Sequence, residues 1–160
     1  MSKELEKAIS LRESGSYKES NDVLRMLVKK EPQNALINYH CAWSFDNLGE
    51  ETKAVPYYEC AIELGLPSDE MQGALLGLGS TYRTLGEYEK SKRTFLKGIE
   101  LFPNNRAIQV FYAMTLYNLK EHTEAMERLL KCLIETTADT EILSYKRAIE
   151  FYTDKLDDVW

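Results

Sequence analysis

Residues 75–105 read LLGLGSTYRTLGEYEKSKRTFLKGIELFPNN, and this stretch decides the fold. Leu75, Leu78, Gly79 and Tyr82 recur at helical spacing until Gly86 stops the run. Tyr88, Ser91, Phe95 and Gly98 resume that spacing until Pro103, Asn104 and Asn105 end it. Gly79, Ser91 and Gly98 are small enough to let two antiparallel helices approach closely, with Leu75, Leu78, Tyr82 and Phe95 filling the space between them. Such a helix hairpin keeps one apolar side uncovered, so it requires copies of itself.

The copies appear when the turns are aligned. Gly15, Gly49 and Gly86 mark three turns and Lys120 occupies the place of a fourth, at spacings of 34, 37 and 34 residues. The three extra residues of the middle interval fall around Gly65, Leu66, Pro67 and Ser68, with Ser68 expected to cap the next helix. A period of about 34 residues is shorter than the armadillo and HEAT periods. With that period the chain resembles a tetratricopeptide-repeat protein from end to end. It is most similar to the small bacterial subfamily called tetratrico peptide repeat group five, through LGEETKAVPYYECAIELGL and LLGLGSTYRTLGEYEKSKRTFLKGIELFP. The resemblance implies an all-α fold, a right-handed α-solenoid of four hairpins in a single domain. The repeats fall at about residues 1–34, 35–68, 72–105 and 106–137, and a C-terminal capping helix at about 139–157 makes nine helices.

Lys120 sets a local problem. A non-glycine residue at this turn must either adopt a left-handed backbone or reshape the turn. Beyond the fourth repeat, Ile142, Tyr145, Ile149, Tyr152, Leu156 and Val159 follow at alternating intervals of three and four, a narrow apolar seam. That seam either covers the open face of the fourth repeat or joins two chains in a homodimer, with capping expected as its main role.

The formal net charge is −6, which argues against nucleic acid or an anionic membrane as the main partner. No run is long enough for a membrane span, and the charged start is not a signal peptide. The cysteines, Cys41, Cys60 and Cys132, are odd in number and unclustered, as for reduced thiols in a cytoplasmic protein. His40 and His122 lie in different repeats and suggest no metal site. Gly73, Gly77 and Gly79 lack the strand and the Gly-Lys-Ser/Thr of a nucleotide loop. Nothing points to an enzyme or a cofactor.

What remains is the groove that, in the family resembled, the first helix of each hairpin lines. Its exposed positions are Tyr39, His40, Trp43, Asp46 and Asn47 in the second repeat, Gly73, Leu76, Gly77, Ser80, Arg83 and Thr84 in the third, and Val110, Phe111, Met114, Tyr117 and Asn118 in the fourth. Helical glycine costs roughly 1 kcal/mol against alanine. Gly73 and Gly77 therefore either make room for a ligand backbone between Trp43 and Phe111 or serve packing within the array. The two-carboxylate clamp by which relatives grip acidic chaperone tails would fall on Leu5, Ile9, His40, Gly73 and Gly77, or, one repeat on, Tyr39, Trp43, Gly77, Ala107 and Phe111. Neither set carries the required Lys, Asn and Arg. A mostly apolar groove with Arg83 near Asp46 instead suits a protein partner presenting an amphipathic helix or an aromatic-bearing peptide.

Overall fold

The computed structural model describes residues 1–160 and is built of helices alone. Four hairpins follow one another: α1 (Lys3–Glu13) with α2 (Tyr17–Lys30), α3 (Ala35–Asn47) with α4 (Glu51–Leu64), α5 (Ser68–Thr84) with α6 (Tyr88–Leu101), and α7 (Arg106–Asn118) with α8 (His122–Thr136). Each first helix packs on both helices of the hairpin before it, which stacks the hairpins into the expected solenoid.

Local chemistry sets these boundaries. Ser2, Asn34 and Asn105 accept a hydrogen bond from the backbone N–H three residues on, capping α1, α3 and α7. Ser68 does not cap α5; it is the first helical residue, preceded by Pro67, whose fixed φ suits the approach to a helix. α4 continues unbroken through Pro56. Gly15, Gly49 and Gly86 have φ of 84°, 67° and 77°, and Lys120 joins them at 66°. The fourth turn is therefore not reshaped: lysine takes the left-handed backbone.

Close approach within the hairpins uses serine as well as glycine. Ser20 Oγ donates to the carbonyl of Ala8 at 2.7 Å, and Ser91 Oγ donates to that of Gly79 at 2.7 Å. A Cβ on Gly79 would stand 2.5 Å from the Phe95 ring, and one on Gly98 would stand 3.2 Å from Ile108. Most of the buried apolar residues fall into two bodies. One runs from Leu5 to Tyr82 across α1–α5; the other joins Phe95, Ile108, Tyr112, Ala113, Leu116 and Ala125 across α6–α8.

The C-terminal region departs from expectation. Instead of one helix over 139–157 there are two short ones, α9 (Thr140–Ser144) and α10 (Lys146–Tyr152), giving ten helices rather than nine. The break falls at Tyr145, and Leu156 lies beyond the last helix. Short helices need tertiary packing to persist. Here α10 packs chiefly on α8, and none of the helical residues of α9 or α10 is buried. Asp154, Asp157 and Asp158 would also crowd the negative end of any longer helix.

Candidate functional site

The first helices α1, α3, α5 and α7 lie side by side along one face of the solenoid. Its N-terminal half is closed by its own side chains. Tyr39 and His40 on α3 are buried, not open to a ligand. Trp43 is partly exposed, but the Arg12 guanidinium from α1 lies 3.7 Å from the centre of its ring. The same guanidinium approaches His40 Nδ1 at 3.1 Å. Guanidinium only donates, so Nδ1 accepts and the imidazole is neutral. Burial, reinforced by the Arg12 charge, pushes the His40 pKa down to about 4.

The glycines of α5 are filled from inside. A Cβ on Gly77 would stand 2.5 Å from Tyr58 Oη and 2.6 Å from Cζ, and one on Gly73 would collide with Tyr39. The space expected for a ligand backbone between Trp43 and Phe111 is occupied by these two rings. Asp46 does not approach Arg83 as an ion pair. It accepts from Tyr58 Oη at 2.7 Å and from Thr81 Oγ1 at 3.1 Å, tying α3, α4 and α5 together. Burial raises its pKa, and both hydrogen bonds resist that rise. Asn47 and Ser80 are half-buried on the same helices.

The C-terminal half is open. Arg83 Nε donates to Asn118 Oδ1 at 2.8 Å, and no carboxylate is paired with this guanidinium. Beside it a cleft of about 480 Å³ runs between α7 and α8, lined by Met114, Tyr117, His122, Met126 and Leu129 over a floor of Ala113 and Ala125. Tyr117 is 61 % exposed and lies across the His122 ring, with 4.9 Å between centroids. Phe111 is turned away from the open cleft, half-buried against Phe95. Of the C-terminal seam, Ile142 and Ile149 are half-buried while Tyr145, Tyr152 and Leu156 are exposed. The seam therefore caps the chain only in part. No group of three or more His, Cys, Asp or Glu side chains is gathered as a metal site would need, and no helix is long and apolar enough to cross a membrane.

Residues 35–156 match the tetratrico peptide repeat model of group five. The chain is a tetratricopeptide-repeat protein. Among curated proteins it is similar to Superkiller protein 3 of Saccharomyces cerevisiae, 25% identical over 131 residues that make up 78% of this chain but only 9% of that protein. Among solved structures it is similar to MamA from Desulfovibrio magneticus RS-1, with TM-score 0.76, 19% identity, and 86% of this chain and 76% of that one covered. It is also similar to YrrB, described as a TPR protein with an unusual peptide-binding site, with TM-score 0.72, 14% identity, and 95% and 77% covered. At these identities the structural likenesses establish the fold.

Within the tetratricopeptide framework, the side chains that pattern reading missed come from outside the groove positions. Arg12 lies on the irregular opening helix, Tyr58 and Thr81 are interior, and Met126 and Leu129 belong to a second helix. For Met126 and Leu129 a signal was available: with His122 and Leu133 they form a stripe at intervals of four, three and four residues along α8.

Proposed function

We propose that the protein is a non-enzymatic interaction module that binds a peptide or amphipathic helix at the C-terminal end of its concave face, where the α7–α8 cleft joins that face to the open end of the solenoid. The observation that carries this reading is the open apolar cleft with an unpaired guanidinium at its rim. Tyrosine and methionine provide adaptable apolar contact area, and Arg83 can receive a carboxylate or carbonyl. The Trp43 region is a contact within the chain, so the groove narrows from the positions expected in sequence to Arg83, Met114, Tyr117 and Asn118. The test is selection of a displayed random-peptide library on the intact chain, followed by titration of the recovered peptides. Tyr117→Ala and Arg83→Gln are expected to weaken binding tenfold or more, and Trp43→Ala much less. Peptides indifferent to Tyr117→Ala would overturn the reading.

A second reading, a self-associating scaffold, is favoured by the exposed aromatic rings of Tyr145, Phe151, Tyr152 and Trp160. Light scattering separates the two. A dimer that Tyr152→Glu converts to a folded monomer would support the scaffold.

A further inference from the structure

The repeat itself indicates what belongs on the open end of the solenoid. In the first hairpin the surface that receives the next repeat is Ala8, Ser20, Leu24 and Leu27, all buried under α3 or its neighbours. The equivalent residues of the second hairpin are Ala42, Ala54, Tyr58 and Ala61, and of the third Gly79, Ser91, Phe95 and Gly98; all are buried too. The fourth hairpin presents Ala113, Ala125, Leu129 and Cys132 at the same places; its three small residues are buried as well, and Leu129 alone is exposed. A large apolar side chain stands at the third of these places in every hairpin, flanked by small residues except at Leu27 in the first. The large residue is 0 % exposed at Leu24, 2 % at Tyr58 and 0 % at Phe95, but 38 % at Leu129.

The chain's own C-terminal region does not fill this position. α10 packs on α8 without comparable contact to α7, whereas α3, α5 and α7 each pack on both helices of the preceding hairpin. Thr123, on a different side of α8 from the His122, Met126, Leu129 and Leu133 stripe, accommodates the tail through a 3.4 Å hydrogen bond to Asp157. The stripe is left uncovered, with Met126 48 % and Leu133 41 % exposed.

We infer that this end face is a docking slot for an amphipathic helix from a partner protein, seated where the first helix of a fifth repeat would lie. The inference rests on the proposed peptide-binding reading and commits it to a helical occupant. The third repeat shows the required chemistry. On α7, Ile108 packs against Gly98, Phe111 meets Phe95 with ring centroids 6.4 Å apart, and Thr115 Oγ1 bonds Ser91 Oγ at 2.8 Å. An occupant therefore carries apolar or small side chains at i, i+3 and i+7. It runs parallel to α7, which brings its last turn towards Tyr117 and Arg83. Arg83 has no acidic partner of its own, so a carboxylate in that last turn completes the fit.

The probe is a capped, helix-forming peptide with an Ala/Lys/Gln background. It bears Ile, Phe and Thr at the spacing of Ile108, Phe111 and Thr115, and one Glu in its last turn. Titration into the intact chain is expected to give saturable binding accompanied by a gain of helical circular dichroism. Leu129→Asp and Met126→Asp, both at exposed sites and each checked for native helicity, should each weaken binding at least tenfold. Arg83→Gln should weaken it about three- to tenfold, while Met26→Asp on α2 should leave it unchanged. No binding of this probe, or binding without helix gain, overturns the helical slot. If library-selected peptides still bind in a Tyr117-dependent manner, the proposed function survives that failure. A dimeric wild type that Leu129→Asp separates into folded monomers would place a second copy in the slot and also overturn the inference.

Discussion

Lys120 is held in a backbone conformation that costs an L-residue about 1–2 kcal/mol, and it makes no side-chain bond that would repay the strain. An added Cβ meets nothing at the three equivalent glycines, so the cost there is one of backbone and not of space. Lys120→Gly should therefore raise stability by about 0.5–1 kcal/mol, part of the strain relief being offset by the freer unfolded chain, measured as the urea midpoint. A fall would mean that the turn depends on the lysine side chain. Gly73 and Gly77 differ from one another for a similar reason. The Tyr58 ring facing Gly77 is buried and its hydroxyl is fixed on Asp46, so it cannot retreat. Only the hydroxyl end of Tyr39 crowds Gly73, and it carries no bond to hold it there. Gly77→Ala is expected to lose roughly 1–2 kcal/mol, overpacking outweighing better helix propensity, whereas Gly73→Ala should be near neutral in thermal melts. Equal effects would contradict this distinction. Sequence alone left both glycines with two readings, because the rings that occupy the space lie 19 and 34 residues upstream.

At the scale of elements, helix periods and turn residues were legible because each hairpin repeats the same local chemistry: small residues at crossings and left-handed turns after each first helix. The C-terminal helix was not, because its three-and-four spacing describes a seam without guaranteeing a surface to pack on. The groove was legible as positions but not as an open surface. Arg12 arrives from the least regular helix and covers Trp43, and in doing so joins α1 to α3. That junction has a pH signature. His40 is neutral in the folded protein down to about pH 4, whereas an unfolded histidine takes a proton near 6.5. Its contribution is present above pH 6.5 and is lost as pH falls from there towards 4, by an amount on the order of 3 kcal/mol. Asp46, whose pKa burial raises, acts in the opposite sense, so the comparison is made within one background. His40→Gln should flatten the decline in urea-determined stability between pH 6.5 and 4. An unchanged slope would remove His40 from the account.

For the whole molecule, stacked repeats make stability a sum of hairpin and neighbour-interface contributions and not a property of one centre. Here those contributions are unequal. The apolar body across α1–α5 contains 15 buried residues and the one across α6–α8 contains six, so the C-terminal part has less burial to hold it. Its exposed end face deepens the difference, since Leu129 lacks the covering helix that buries its three counterparts. Between the two bodies, α5 and α6 meet through the Gly79–Phe95 approach and the Ser91 hydrogen bond. Openings of the α6–α8 part should therefore occur at lower free energy than openings of α3 and α4. Leu116 is fully buried in the smaller body, and its truncation to alanine costs about 2–5 kcal/mol in a core of this kind. In native-state hydrogen exchange, Leu116→Ala should lower the protection of amides in α6, α7 and α8 by that amount. Amides in α3 and α4 should keep most of theirs, because opening of α6–α8 parts the chain at the α5–α6 crossing, where Gly79 meets Phe95 and Leu75 meets Gly98, and leaves the larger body intact. A uniform fall across all helices would show instead that the solenoid opens as one unit, with the α5–α6 crossing strong enough to couple its two ends.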